Sequence, residues 1–342
     1  MDINSMISEK IVVTGAGGFI GGALVHRLGS IGVEVCGLVR DEAALQKLQY
    51  MCRNYRQVEV RICDVRSPTA LRQCLVGAHT VYHAAALVNS NVSEKLYYET
   101  NVEGTRNVCS ASIEAQVSRL VYLSTSDVFG LPESTDNVTE KWRFAKWGEK
   151  YPDTKILATE MVQQFRAIGL QSAIVYPGWV YGPGDQQFLP SLATQLRSGV
   201  IPTWKRPTVK LNLIHIEDLL DGLILVGSRP EALGQDFILL NSASVPLTEI
   251  CDAIGAFFGL RHRAINMPYA TAMYLARAAE LFAKTGLTRQ PLITTAIVKS
   301  FGFQFNFDTS KAFAQLGWKP KMEFAEGIQS ALEWQQDRLN VH

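Results

Sequence analysis

Thr14-Gly15-Ala16-Gly17-Gly18-Phe19-Ile20-Gly21 directly follows the apolar run Ile11-Val12-Val13. Its spacing is G-x-x-G-x-x-G, at Gly15, Gly18 and Gly21. A β-branched run that enters a glycine turn, with helix-forming residues behind it, predicts strand, tight turn and helix in succession. Glycine lets the chain turn sharply there. It also lets a pyrophosphate approach the free N–H groups of the helix start, where the helix dipole favours anions. The motif alone is moderately specific, because a tight turn without a ligand has the same look. As a phosphate site it would use Gly15, Gly18, Phe19, Ile20 and Gly21.

Outward from this turn, runs at 33–39, 58–62, 80–83, 120–124 and 173–176 read as further buried strands. Several are apolar throughout rather than alternating, as expected where helices cover both faces of a sheet. Helical stretches separate them, one after Gly18 and one from about Ser93 to Ala115. This alternation predicts an α/β protein with a doubly wound parallel sheet. After Gly182-Pro183-Gly184 the texture changes to longer amphipathic stretches, which predicts a smaller, mainly helical C-terminal lobe. The expected division is 1–182 for a dinucleotide-binding domain and 183–342 for a substrate lobe. The strand-like segment 209–216 is a candidate to return to the first.

Composition narrows the function classes. The 342 residues are 47% hydrophobic and 19% charged, which suits one large or two unequal globular domains. Lysine and arginine (33) nearly match aspartate and glutamate (32), so the net charge of +1 supplies no global field for nucleic acid or an anionic membrane. The longest uncharged stretch, Gln73 to Ser93, holds His79, His83 and Asn89, and so reads as no membrane span. Asp2 and Glu9 among the first residues argue against a secretory leader. Six cysteines show neither a CxxC pair nor metal-type spacing, which predicts buried free thiols in a reducing cytoplasm and no bound metal.

Tyr151 and Lys155 lie four apart, on one helical face. A free tyrosine titrates near 10, too high for a base at neutral pH, and a neighbouring ammonium is expected to lower it. The pair gains weight from Leu120-Val121-Tyr122-Leu123-Ser124-Thr125-Ser126, a strand that ends in hydroxyls 26 residues before Tyr151. Thr125 there can donate to a substrate oxygen while the tyrosine transfers a proton. Strand-end capping is the plainer reading for Ser124 and Ser126. Asp64, after the third strand, reads either as an acceptor for an adenine amino group, with Val65 beside it, or as a helix cap before Ser67-Pro68. Ala84 and Ala85, after His83, are small enough for a cofactor to lie on the strand end, or for close helix packing.

Together these residues resemble the extended short-chain dehydrogenase/reductase family. The likeness runs through TGAGGFIG at 14–21, HAAA at 83–86, NVEGT at 101–105, LSTSDVFG at 123–130, YPDTK at 151–155, PGWVYGPGD at 177–185 and LIHIEDL at 213–219. It implies a Rossmann fold, with Thr125, Tyr151 and Lys155 as the catalytic set and Lys155 also on the nicotinamide ribose. It further implies Asn101 in the supporting network and Pro177 to Val180 beside the nicotinamide. Tyr176 departs from the pattern, since relatives usually carry arginine before Pro-Gly. Within the family, GPGDQQFLPSLA at 182–193 and FNFDTSKAFAQLGWKP at 305–320 resemble the 3β-hydroxysteroid dehydrogenase-like branch, including 2-alkyl-3-keto acid reductases. That branch implies a bulky, largely apolar alcohol or ketone, interconverted with NAD(P).

Nucleotide-sugar members of the family commonly place an arginine where this chain has Leu211, which counts against an epimerase. A catalytically idle NAD(P)-binding regulator is the other alternative. The strand-two ending Val39-Arg40-Asp41 decides the cofactor expectation: Val39 cannot bond a ribose 2′-hydroxyl, whereas Arg40 suits a 2′-phosphate. NADP(H) is expected, with NAD(H) kept open through Asp41. Lys141 to Trp147 reads as a solvated loop with aromatic anchors or as a substrate lid. Met267 to Phe282 reads as core packing ahead of peripheral membrane contact, and His215 as structural. A small apolar substrate is the expected partner, and a homodimer is common among relatives.

Overall fold

A computed structural model describes residues 9–88, 92–131, 137–204, 209–241, 243–284, 294–300 and 306–340. Seven short runs rich in β-branched and aromatic residues form the central sheet: β1 (Ile11–Thr14), β2 (Val35–Val39), β3 (Val58–Ile62), β4 (Thr80–His83), β5 (Arg119–Leu123), β6 (Ser172–Pro177) and β7 (Asp236–Leu239). Their order is β7-β6-β5-β4-β1-β2-β3, and every pairing is parallel. Winding reverses between β1 and β4, where Thr14 lies opposite His83. In such sheets ligands bind beyond the strand ends at that reversal.

Period-two alternation sends Val13, Tyr82 and Val121 to one face and Val12, Val81 and Tyr122 to the other. Helices α1 (Phe19–Ser30) and α6 (Ile216–Ser228) cover the first face through Leu24, Leu28, Leu219 and Leu223. Helices α3 (Pro68–Leu75), α4 (Gly104–Glu114) and α5 (Lys150–Ala167) cover the second through Leu71, Val108, Ile156 and Val162. Helix α2 (Glu42–Met51) follows β2 and is capped by Asp41, whose carboxylate accepts from Ala44 N at 3.0 Å. The edge strand β3 carries Glu59 and Arg61, which discourages pairing with another chain. All six cysteines are buried and free.

A third core, with Leu189, Leu192, Ile250, Ile254, Ala272 and Leu332, belongs to the C-terminal lobe. Its longer helices are Phe188–Leu196, Leu247–Phe258, Tyr269–Lys284 and Phe324–Asn340, and the short helix Thr295–Ser300 adds Val298. The chain visits this lobe twice. Between the visits, Leu213–His215 pairs in parallel with Trp179–Tyr181, α6 packs on the sheet and β7 completes it. His215 caps α6 by accepting from Glu217 N at 3.3 Å, and its ring meets Tyr181 edge-on, which is a structural role.

One expectation changes. Core packing was expected for the whole Met267 to Phe282 stretch, yet only part of it faces the lobe. Met273 packs inward while Tyr274, Leu281 and Phe282 are exposed.

Candidate active site

The glycine turn is built by close approach. Gly15 has φ +69°, and a Cβ there would sit 2.6 Å from the Ala85 backbone; one on Gly21 would meet the Gly15 carbonyl. Gly18 N donates to Gly15 O at 2.9 Å and closes the turn. No side chain caps α1 at Gly18, so its first N–H groups open toward the crevice between β1 and β4. This cradle fits a pyrophosphate. Ala84 and Ala85 form the opposite wall, as small residues must.

A relay of buried side chains fixes that wall. Thr14 Oγ1 lies 2.8 Å from His83 Nδ1 and also accepts from Ala85 N, while His83 Nε2 lies 2.9 Å from Thr105 Oγ1. Burial, aided by the charge of Lys155, pushes the His83 imidazole down to about 3, so it stays neutral. Asn101 projects from a π-helical turn (Tyr98–Glu103), an irregularity common at functional positions. Its carbonyl accepts from Leu87 N at 2.7 Å, and its amide donates to Leu87 O and to Thr154 Oγ1. Asn101 therefore braces the β4 loop against the first turn of α5. Reading HAAA only for its small residues overlooked His83; the neighbouring Thr14 was the available signal.

Helix α5 carries Tyr151 and Lys155. Its start is held by Asp153, whose carboxylate accepts from Trp147 N (2.8 Å) and Gly148 N (3.0 Å). Lys155 Nζ donates to Leu123 O at 2.6 Å and sits 4.3 Å from the centre of the Tyr122 ring. Burial pushes this ammonium down to about 7. Ser124 pairs with Thr159 at 2.7 Å, so it is structural. Capping falls on Thr125 rather than on Ser126: its hydroxyl oxygen accepts from Asp127 N at 3.2 Å, which leaves the proton available to donate.

The expected lowering of the tyrosine is reversed in the free protein. Loss of hydration raises the Tyr151 phenol, the Asp127 carboxylate adds to this, and the Thr125 hydroxyl opposes it. Lys155 is committed to Leu123 instead. Asp127 itself is pushed up to about 6 by burial. Sequence reading missed Asp127 as a neighbour of Tyr151, although it stands two residues after Thr125.

The adenosine end is more open. Arg40 is 65% exposed and lies 3.4 Å from Asp41, whose other oxygen caps α2. Asp64 is held below the usual carboxylate range chiefly by Arg66, which it meets at 2.6 Å. An adenine amino group would share Asp64 with that guanidinium. Val65 is buried, and its carbonyl accepts from Asn107. Pro177 ends β6, and Val180 pairs with Ile214. Tyr176 points away from this edge into a cluster with Phe129 and Phe144, its hydroxyl donating to Asp236 at 3.2 Å. Phe144 thereby anchors the 141–147 loop, and Lys299 secures its end by donating to Trp147 O at 2.8 Å.

Comparisons with known proteins find similar chains and a shared fold. The chain is 25% identical over 322 residues to a 4-hydroxy-2-methyl-3-oxo-4-farnesyl-3,4-dihydroquinoline-1-oxide ketoreductase of Stigmatella aurantiaca, covering 93% of this chain and 94% of that one. It is 27% identical over 342 residues to the decarboxylating sterol-4-alpha-carboxylate 3-dehydrogenase of Schizosaccharomyces pombe, covering 96% and 98%. A solved dTDP-glucose 4,6-dehydratase from Streptomyces venezuelae, DesIV with NAD and TYD bound, shares the fold at TM-score 0.78 and 21% identity, over 97% of this chain and 98% of that one. The model of the NAD dependent epimerase/dehydratase family matches residues 11–239, glycine turn through β7, and the chain belongs to that family.

Proposed function

We propose that this chain is an NAD(P)-dependent oxidoreductase that interconverts a secondary alcohol and a ketone on a bulky, largely apolar substrate. The observation that carries the reading is the meeting of Thr125, Tyr151 and Lys155 at the carboxyl edge of β5, next to the β1–β4 crevice. In this reading the nicotinamide exchanges hydride with the substrate carbon. Tyr151 passes the proton to or from the substrate oxygen, Thr125 donates to that oxygen, and Lys155 binds the ribose and favours the phenolate. Both relatives named above act on apolar molecules by their printed names, which supports the substrate class. NADP(H) is the preferred cofactor, through Arg40. Six buried free thiols suit a reducing cytoplasm.

The family name and the dehydratase fold raise the nucleotide-sugar alternative. Leu211 weighs against it: this side chain is only 3% exposed and belongs to the apolar core of the lobe, so no cation stands there for a diphosphate. An assay of nicotinamide oxidation across apolar ketones, β-keto esters and sugar nucleotides tests the reading. Turnover is expected with the first two classes alone. Tyr151→Phe should lower kcat by ~10²–10⁴-fold with cofactor affinity unchanged. Near-wild-type turnover in that variant refutes the assignment.

A further inference from the structure

The first turn of α5 is held from outside its own helix. Glu149 stands at the head of that helix, yet its carboxylate caps none of the first N–H groups. It turns instead to the C-terminal lobe, where it accepts from Lys299 Nζ at 2.7 Å and lies 3.2 Å from Thr295 Oγ1. The same ammonium donates to Trp147 O at 2.8 Å. Gly148, between the two acceptors, has φ +73°, a turn that lets one cation meet both. Glu149 and Lys299 are each only 21% exposed, so solvent screens this pair less than a surface ion pair. Thr295 is itself tied to the helix Tyr269–Lys284, since Glu280 accepts from Thr295 N at 2.7 Å and from Thr295 Oγ1 at 2.9 Å. One hydroxyl proton cannot serve two carboxylates at once, which makes Lys299 the constant partner of Glu149. Val298, Ala272 and Ala276 are fully buried and root both helices in the lobe core.

A polar groove, not apolar packing, lies where the lobe approaches α5. It measures about 930 Å³ and runs between Met273, Arg277 and Glu280 on one side and Asp153, Thr154 and Leu157 on the other. The lobe therefore reaches the start of α5 through the few polar contacts centred on Lys299. Tyr151 is the second residue of α5, in the turn where a helix frays. Asp153 holds that turn from within, through Trp147 N and Gly148 N, and Lys299 holds the same stretch from the lobe. Lys155 stands one turn further on and is fixed separately by Leu123 O. Loosening the clamp would thus move the tyrosine and spare the lysine.

We propose that Lys299 and Glu149 are positioning residues, which clamp the first turn of α5 to the C-terminal lobe and set Tyr151 against Thr125. The inference rests on Tyr151 as the acid/base of the proposed reaction. Neither side chain touches a reacting atom in this role. A proton crosses between phenol and substrate oxygen only at hydrogen-bond range, and a misplacement of ~1 Å costs up to ~10²-fold in rate. In the same reading the lobe supplies the substrate's walls, so the clamp makes the place of the tyrosine depend on how the lobe is seated. The motif YPDTK gives no sign of this, because Lys299 lies far along the chain.

Kinetics of the full chain, with the apolar ketone that it turns over fastest, test the clamp. Lys299→Met should lower kcat at least about tenfold and leave KM and cofactor affinity within about twofold. Its kcat should also become more sensitive to D2O, because the proton step has slowed. Lys299→Arg keeps a cation in reach and should retain most of the rate. Glu149→Ala should behave like Lys299→Met, and the double variant should be no slower than the worse single one, as for residues that act as a unit. Thr295→Val, with a milder loss of the same kind, serves if Lys299→Met lacks a cooperative thermal transition. Wild-type kcat in a folded Lys299→Met overturns the proposal, as does a loss confined to KM or cofactor affinity, or an equal loss in Lys299→Arg. Tyr151→Phe, measured beside these, separates the two readings. If it is as fast as wild type, both fall; a slow Tyr151→Phe beside a fast Lys299→Met sinks the clamp alone.

Discussion

Tyr151 and Arg40 show how much one neighbour decides. The phenol is raised by lost hydration and by Asp127, and a carboxylate beside a tyrosine always disfavours the phenolate. Alcohol oxidation needs that phenolate, so the rising limb of its pH profile follows the tyrosine. Asp127→Asn removes the negative charge, lowers the phenol, and should move that limb to lower pH. A kcat/KM profile with an unmoved limb would show that Asp127 does not act on Tyr151. Arg40 belongs to the same scale. Its guanidinium is free enough to reach a 2′-phosphate and only loosely held by Asp41. We expect a preference for NADPH over NADH in kcat/KM, narrowed by Arg40→Ala; equal values in the wild type would refute it. Sequence spacing singles out Thr125, Tyr151 and Lys155 as candidates, because a strand end and an i, i+4 pair are local patterns. His83 and Asp127 were harder to see, since their roles depend on burial among residues distant in the chain.

Turns and strands set the next scale. Gly15 holds a left-handed φ and stands against the Ala85 backbone, so a methyl group has neither the conformation nor the space. Gly15→Ala should cost about 1–3 kcal/mol of stability through backbone strain alone. It should also push β4 from the turn and weaken cofactor binding at least tenfold. Thermal unfolding and cofactor titration check both, and a variant with wild-type affinity would show that the turn does not cradle the cofactor. Five of the six later strands were legible as runs rich in β-branched residues, but β7 was not. Asp236-Phe237-Ile238-Leu239 is four residues long and lies after the helical α6, so only its pairing with β6 identifies it. The π-helical turn around Asn101 was hidden for a related reason: it changes the hydrogen-bond register without changing the apolar periodicity. For the helix Tyr269–Lys284, periodicity revealed an apolar stripe but could not tell which way it faced.

At the scale of the whole molecule, the sequence changes texture after Gly182-Pro183-Gly184. The strand-like segment 209–216 reads there as a candidate to return to the first lobe, but nothing local announces α6 and β7, which long-range contacts hold on the first sheet. Asp218 is the knot of that return. From the first turn of α6, its buried carboxylate accepts from Lys321 N at 2.9 Å and Met322 N at 3.0 Å, and its backbone carbonyl accepts from Trp318 Nε1 at 3.0 Å. The tryptophan in turn packs over Gly222, where a Cβ would collide with its indole and with Leu239. These bonds seat the loop that leads into the helix Phe324–Asn340, and that helix contributes Ile328 and Leu332 to the lobe core. One carboxylate therefore joins the sheet, α6 and the C-terminal lobe. Asp218→Ala would strand two amide donors in a partly buried loop, at a cost of about 1–3 kcal/mol for each unsatisfied group. Asp218→Asn keeps one acceptor oxygen and should lose less. Urea unfolding is expected to rank the three proteins wild type, Asn, Ala, with the pH profile of turnover unchanged because Tyr151 and Asp127 are untouched. An Ala variant as stable as wild type would mean that apolar packing alone seats the C-terminal helix.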